Sequence, residues 1–427
     1  MEMPDFEAIT GAGCAALKEA RLADALVAFD AALRLCPGDA ATHYRRGETL
    51  FLLRRIDEAE QCHHRAMRLG LGADPDARGA AMSGLVPGDF GWMSHILRGD
   101  FEAAWRLADN ERRQRLRHGI SGRDWPRHLR PVWDGGDLAG RHVLVRCYHG
   151  LGDTLQFIRY VPLLARRAAA VRVELQPELI EFLSRLPSIE QLHPLPEPAN
   201  EKPCQYYGCD AEADITELPH ACRTSLATIP PVLPELIAER ADQPHGPVRV
   251  GLAWTAGIWK PERSIPIGRL TALGDIPGVS FVSLQRGAEY DRWREVRDGP
   301  PMTAELRSDD VGETARIMRG LDLVISVDTM VAHLAGTLGI PTWLMLHFAA
   351  DWRWLLDRAD TPWYRTMRLF RQKQRGDWDG VVAELSAALA ELATAPPARL
   401  AAAVVSPPVP RRRSLLPGEA RRASTGR

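Results

Sequence analysis

The segment from Asp322 to Gly336 restricts what this chain can fold into more than any other. A short run rich in β-branched apolar residues, Leu323 to Val327, ends on Asp328 and passes at once into a helix-like stretch with His333 five residues after the acid. Such a strand-to-helix turn belongs to an α/β domain, which takes its ligands at the carboxyl edge of the sheet. The acid, the Thr329 hydroxyl, free backbone N–H groups and an imidazole then converge on one point, and a polyphosphate or nucleotide-sugar suits it.

Two series of strands and helices surround that turn. The first has an apolar strand at 142–149, a tight turn at Gly150 to Asp153, a helix over 154–170, a strand at 171–175 and a helix over 177–186. The second follows the Pro-rich stretch 230–247, a hinge, with strands at 248–254, 279–285, 322–328 and 341–347 and a last amphipathic helix over 378–392. Two βα arrays joined by a hinge make a cleft between Rossmann-like domains.

An internal repeat precedes both arrays. Gly13, Ala25 and Ala32 recur as Gly47, Ala59 and Ala66, each 34 residues on, with Phe29 and Pro37 in the first unit. That period is the tetratricopeptide one: small residues let two helices pack closely, an aromatic fills the gap, and proline ends the second helix. A degenerate third pair follows an insertion at 74–88, with Gly91, Ala103 and Leu107 at matching offsets and Trp105 as a core aromatic. The expected domains are repeats at 1–118, a first Rossmann-like domain at 119–240, a second at 241–395, and a disordered Ala, Pro, Arg and Ser-rich tail at 396–427.

Composition removes several function classes. With 54 basic against 55 acidic residues and a formal net charge of -1, the chain has no global footprint for nucleic acid. No stretch approaches the roughly 18 apolar residues of a membrane span, and no basic-then-apolar leader opens the sequence, so the cytoplasm is expected. The seven cysteines have no CxxC pair and are expected to be reduced, and no metal or cofactor is expected.

Five collinear motifs resemble a known family: His149 to Asp153 followed by Gln156 to Tyr160; Arg263 to Pro266; Ser283 to Gln285; Asp322 to Gly336; and Asp351 to Leu355 with Pro362 to Tyr364 and Arg368 to Arg371. Together they look like the bacterial tetratricopeptide-repeat glycosyltransferases. The catalytic half is similar to ADP-heptose:lipopolysaccharide heptosyltransferases, and the layout is similar to O-linked N-acetylglucosamine transferases. The resemblance implies a GT-B fold, a nucleotide-diphosphate sugar donor bound by the second domain, and metal-independent, inverting transfer to a hydroxyl of a protein or glycan. By the same resemblance, Asp153 deprotonates the acceptor, Asp328 contacts the donor sugar, and Thr329, Met330 and His333 hold the diphosphate. Arg263 stands where heptosyltransferases carry a lysine, while Gln285 and Glu289 lie on the nucleoside side. The repeats offer a groove to a protein partner.

Transfer chemistry asks for such parts, because negative charge develops on the departing diphosphate and the acceptor hydroxyl must lose a proton. Each residue also has a plainer reading. Asp153 with Gln156 makes a helix N-cap and capping box, Asp328 a cap, His333 a packed histidine, and Arg263 a partner of Glu262. Gly150 and Gly152 serve the tight turn in either case. The aromatic and cationic run from Asp351 to Trp354 with Trp363, Tyr364 and Arg371 reads as domain packing, with the cleft lining as its alternative. Tyr148-His149 and Met330-Val331 depart from the family pattern beside the acceptor and phosphate positions. A non-catalytic repeat scaffold on a degenerate transferase fold is therefore the competing expectation.

Overall fold

The computed structural model describes residues 5–71, 89–117, 133–196, 206–239, 246–257, 260–296, 299–306 and 310–394. The insertion at 74–88, the boundary at 119–131, residues 240–245 of the hinge and the tail at 396–427 lie outside the described residues.

Three helical hairpins come first: α1 (Phe6–Lys18) with α2 (Leu22–Leu35), α3 (Ala40–Leu52) with α4 (Ile56–Arg68), and α5 (Asp89–Leu97) with α6 (Phe101–Arg117). Each is closed around one glycine and the residue sixteen positions on. A Cβ at Gly13 would stand 2.7 Å from the Phe29 ring, at Gly47 2.5 Å from His63, and at Gly91 3.1 Å from Leu107. A side chain would overlap the facing one at Gly13 and Gly47 and crowd it at Gly91, so glycine lets the partner side chain lie against the helix. Phe29 is fully buried, worth roughly 1.5–3 kcal/mol to the hairpin. The turns repeat as well. Ala20 and Arg54, at equivalent repeat positions, both have φ 58, and the amides of Arg21 and Arg55 reach back to the carbonyls of Ala16 and Leu50. This left-handed closure satisfies carbonyls that the helix ends leave open.

Two parallel sheets follow. The first contains β1 (His142–Arg146), β2 (Ala170–Leu175), β3 (Gln191–Pro194) and β4 (Ala211–Asp214) in the order β3-β2-β1-β4. The second contains β5 (Val248–Ala253), β6 (Val279–Ser283), β7 (Met302–Glu305), β8 (Leu323–Val327), β9 (Thr342–Leu346) and β10 (Met367–Arg371) in the order β10-β9-β8-β5-β6-β7. Renumbered from its own first strand, the second sheet is the doubly wound 3-2-1-4-5-6, and the first is its 3-2-1-4 portion. Strand order therefore reverses between β1 and β4 in one sheet and between β5 and β8 in the other. The expected architecture, helical repeats followed by two Rossmann-like units in a GT-B arrangement, is the observed one.

The second sheet has β8 and β9 buried at every position, as a sheet covered on both faces must. In the first sheet, Val143 and Val145 face the apolar core, while Arg146, Glu174 and Glu212 form buried ion pairs on the opposite face, at 2.8 Å and 2.5 Å. The helix expected over 154–170 is broken. It runs as α7 (Leu151–Phe157), a 3-10 turn Ile158–Tyr160, and α8 (Val161–Ala165), because Pro162 has no N–H to continue the ladder. The helix expected over 177–186 is likewise a 3-10 turn, Pro177–Leu179, and α9 (Ile180–Leu183). After β4 comes α10 (Leu218–Ala221); the α-helices of the second unit among the described residues are α11 (Ala288–Val296), α12 (Val311–Met318), α13 (Met330–Thr337) and α14 (Trp378–Thr394).

All three parts meet on one aromatic junction. Trp92 of α5 stands edge-on to Trp352 at 5.5 Å, Phe101 stacks on Trp363 at 6.3 Å, and Trp105 donates its indole N–H to Thr224 O at 2.6 Å. Arg54, from the α3–α4 turn, donates to the carbonyl of Phe348 at 3.3 Å. The packing role expected of the run 351–354 is thus filled by Trp352 and Trp354, and the hinge residues Pro230 and Ala238 are themselves bonded to Arg159 and Leu338.

Candidate functional site

The carboxyl ends of the two sheets bring the predicted turns into contact. The backbone around Gly152, in the first turn of α7, lies directly on the His333 ring of α13: a Cβ at Gly152 would meet His333 Cδ2 at 2.7 Å. Further along the same pair of helices, Thr337 Oγ1 donates to Leu155 O at 3.3 Å. The small residue at 152 is what allows this approach, so the turn serves the junction as well as the tight bend.

Local capping differs from the expectation. Gly150, not Asp153, is the N-cap of α7; Asp153 sits in the first turn and accepts from the Gly150 N–H at 3.0 Å. Gln156 is no capping partner. It is fully buried with both side-chain polar atoms unbonded. Asp328 is likewise no cap: Thr329 holds the N-cap position of α13, without a side-chain bond, and Met330 begins the helix. Asp328 is left as a buried acid at the end of β8, on the reversal point of the second sheet.

From there a chain of alternating charges crosses the domain boundary. Asp328 Oδ2 lies 3.5 Å from Arg263 Nη1; Arg263 Nη2 donates to Asp351 Oδ2 at 3.3 Å; Arg353 Nη1 donates to Asp351 Oδ1 at 2.9 Å; and Arg353 Nη2 binds Asp153. Arg263 therefore pairs with Asp328 and Asp351, not with Glu262. The Arg353 guanidinium lies over Trp352 and Phe157, at 4.9 Å and 5.3 Å, which fixes its plane. The sequence around Asp351 and Arg353 predicts packing; in the fold these two residues link the acids of both turns.

Titration follows from this burial. The Asp328 carboxyl is raised, because removal from water disfavours its charge and Arg263 only partly compensates against Asp351. Asp351 faces the same burial, yet Arg353, Arg263 and Lys260 outweigh it and hold its carboxyl well below the usual range. Burial also acts against Arg353, and Asp351 and Asp153 overcome it and raise its value. His333 is pushed down to about 3 by burial and by Arg353, so the ring is neutral at ordinary pH. Its Nδ1 lies 3.0 Å from Tyr364 Oη, its Nε2 3.9 Å from Asp328 Oδ1, and its face 5.5 Å from Trp354. His347, just past β9, is held at about 4 by burial and by Arg263 and Arg54, so positive charge gathers beside the strand ends.

Several buried polar atoms here have no hydrogen-bond partner: Asp328 Oδ2, Arg263 Nε, Arg353 Nε and both polar atoms of Gln156. Buried polar groups are ordinarily satisfied, so such a group of orphans marks a place where a polar ligand can bind. Two predicted residues stand apart from this group. Oε1 of the Gln285 side chain accepts from the N–H groups of Trp254 and Thr255 at 3.1 Å and 2.9 Å, fixing the end of β5, and Glu289 lies half-buried in the first turn of α11. Among the described residues no group of three His, Cys, Asp or Glu side chains is placed to hold a metal ion, and no helix is long and apolar enough to cross a membrane.

The sequence reading missed a second polar group beside Asp153. His149, after β1, has Nε2 3.1 Å from Asp214 Oδ2 at the end of β4, on the reversal point of the first sheet. Asp214 closes a strand of Ala and acids, Ala211 to Asp214, which carries no β-branched residue to signal it.

No family model matches the chain. It is similar to protein FlbA of Caulobacter vibrioides, 26% identical over 412 residues, which cover 87% of this chain; the chain spans 65% of that relative's length. Among solved structures it is similar to a glycosyl transferase family 9 protein from Veillonella parvula, with TM-score 0.43 and 12% identity over 60% of this chain and 98% of that one. It is similar to E. coli ADP-heptose lipopolysaccharide heptosyltransferase II, with TM-score 0.41 and 13% identity over 58% and 98%. The O-GlcNAc transferase of Thermobaculum terrenum overlaps 94% of this chain and 85% of its own, with TM-score 0.33 and 14% identity. At such scores the fold rests on this chain's own strand order.

Proposed function

We propose that the chain transfers a sugar from a nucleotide-diphosphate donor to a hydroxyl of a protein or glycan acceptor, with inversion and without a metal. The observation that carries this reading is the set of unsatisfied buried polar atoms around Asp328, set where the reversal points of two doubly wound sheets meet. In it, Asp328 receives the donor sugar. Thr329, Met330 and His333 lie along the diphosphate at the start of α13, where backbone N–H groups and the helix dipole favour anions. Arg263, with positive charge around His347, balances the departing diphosphate. Gln285 acts on the nucleoside side through the end of β5, and Glu289 from α11. Asp153, on the Gly150 to Gly152 turn, belongs to the acceptor side. The domain of 119–240 is then the acceptor half and that of 241–395 the donor half, with the repeats of 1–118 selecting a protein or glycan acceptor in the cytoplasm.

The test is a panel of UDP-, ADP- and GDP-sugars, scored for thermal shift and for turnover. Asp153→Asn and His333→Ala are each expected to cut turnover by roughly 100-fold, the usual cost of misplacing reacting groups. Wild-type rates in both variants would end the site assignment.

A second reading has one observation in its favour. Both arginines of the site are already committed to three carboxylates, Asp153, Asp328 and Asp351. A repeat scaffold that binds a nucleotide-sugar without transferring it would look the same, and a donor-induced thermal shift without hydrolysis or transfer would select it.

A further inference from the structure

The His149 and Asp214 pair is built more tightly than capping or packing requires. Nε2 of His149 lies 3.1 Å from Asp214 Oδ2 and 3.3 Å from Thr216 Oγ1. The Thr216 hydroxyl spends its own proton on Asp214 Oδ1, at 2.8 Å, so both neighbours of Nε2 can only accept. The ring proton therefore sits on Nε2, and the lone pair falls to Nδ1, which has no hydrogen-bond partner among the described residues. The backbone is pinned too: Gln176 Nε2 donates to His149 O at 2.6 Å, and Gln176 Oε1 in turn accepts from Thr154 Oγ1 at 2.9 Å. Tyr148 covers one side of the ring at 4.4 Å, yet the side chain keeps 36% of its surface open. Asp153 is the reverse case, with one oxygen on the Gly150 N–H and the other on Arg353.

We infer that His149 is the proton acceptor of the transfer reaction, that Asp214 is the residue positioning it, and that Asp153 serves by holding Arg353 and the acceptor hydroxyl. This rests on the transferase reading above. As the acceptor oxygen forms its bond to the anomeric carbon, its O–H bond breaks and the proton passes to His149 Nδ1. The bond from the anomeric carbon to the diphosphate oxygen breaks at the same time, and its electron pair leaves with the nucleoside diphosphate. The charged groups facing the imidazole are Asp214 from β4, Asp153 from α7 and Arg353 from the segment after β9. Burial opposes the imidazolium, but Asp214 and Asp153 outweigh burial and Arg353 together, so the ring titrates above its ordinary value. Both carboxylate oxygens of Asp153 are taken, by the Gly150 N–H and by Arg353, whereas Nδ1 of His149 is open to receive a proton.

Two measurements on the full chain test this. Long-range ¹H–¹⁵N correlation spectra should show His149 with its proton on Nε2 and a midpoint above about 6.5, lowered in Asp214→Asn. Donor turnover against pH should rise through that same midpoint in the wild type. His149→Gln, whose amide still reaches Asp214, should lose about 100-fold and the pH limb with it. Asp214→Asn should move the limb to lower pH, which a merely structural role would not do. An Nδ1–H tautomer, or turnover in His149→Gln with an unchanged rate and limb, overturns the base assignment and leaves the transferase reading standing. A wild type that turns over no donor of the panel overturns both.

Discussion

The two sheets share one strand order and set a histidine beside an aspartate at the same topological point, yet the two histidines titrate in opposite directions. At the first reversal point, between β1 and β4, His149 hydrogen-bonds Asp214 at 3.1 Å, stays partly open to water, and is raised. At the second, between β5 and β8, His333 stands 3.9 Å from Asp328, is closed in by Trp354 and the Gly152 turn, and falls to about 3. The acids differ in the same sense: Asp214 is lowered, since His149 outweighs its burial, and Asp328 is raised. A hydrogen bond to the charged form decides the first pair, and loss of water decides the second. One fold thus carries one edge whose histidine is raised and one whose histidine is held neutral, with Arg353 between them.

The largest expected effect comes from removing that shared cation. Arg353→Met leaves Asp351 buried with its main partner gone and frees Asp153. Breaking a buried pair from one side costs about 3–5 kcal/mol, read from urea unfolding. A loss below about 1 kcal/mol would mean that the two edges do not depend on a common charge.

Next in size is the acid dependence of the second edge. His333 has a folded pKa of about 3, below the unfolded value of roughly 6.5, so its neutral ring contributes fully above that value. The contribution is lost as pH falls toward 3, by about 2 kcal/mol between pH 7 and pH 5. Protonation of the raised Asp328 offsets part of this, because acid relieves its burial. His333→Gln should therefore show a shallower fall in unfolding free energy than the wild type. His63 and His347, both held at about 4, fall alike in the two proteins and cancel. Parallel curves would break the contrast at its second member.

How much of this contrast is readable in sequence depends on the signal each part leaves. The second edge is legible: β8 is a buried strand, apolar but for Ser326, that leads straight to Asp328, and the strand, acid, helix and His333 follow in order. The repeat is legible too, since the close approach at Gly13 and Gly47 demands glycine and recurs at a fixed period. The first edge is half legible. The turn Gly150 to Asp153 announces itself, but its partner Asp214 ends the strand Ala211–Asp214, whose residues favour helix or coil and pair only because β1 lies beside them. Asp351 and Arg353 are hidden for another reason. Among so many aromatics their sequence reads as packing, and only the fold shows that Arg353 stacks on Trp352 while its fork turns toward two carboxylates.

A smaller effect is expected at the contact between the edges. Gly152→Ala sets a methyl 2.7 Å from His333 Cδ2, and neither the α7 backbone nor a ring stacked on Trp354 can yield freely. Overpacking of this kind costs about 1–3 kcal/mol and should lower the thermal midpoint; a neutral result would show that the two turns part easily, and that His333 is less confined than its neutral state requires.

The smallest effect carries the opposite sign to that of His333. His149 has its folded pKa raised, so the stability it draws from Asp214 is fully present below the unfolded value of about 6.5 and is lost as pH rises through the folded one. Asp214, lowered in the fold, contributes above its unfolded value of about 3.9 and loses that only in acid. The pair is therefore strongest in mildly acidic solution, where both members are charged. With more than a third of the histidine side chain open to solvent, screening limits the gain to a few tenths of a kcal/mol, at most about 1. The difference in unfolding free energy between wild type and Asp214→Asn should be widest near pH 5–6 and shrink toward pH 8–9, as the imidazole loses its charge. The His333→Gln difference runs the other way, growing with pH. If both differences rose together, the first histidine would be a buried neutral ring like the second, and the division of labour between the two edges would be gone.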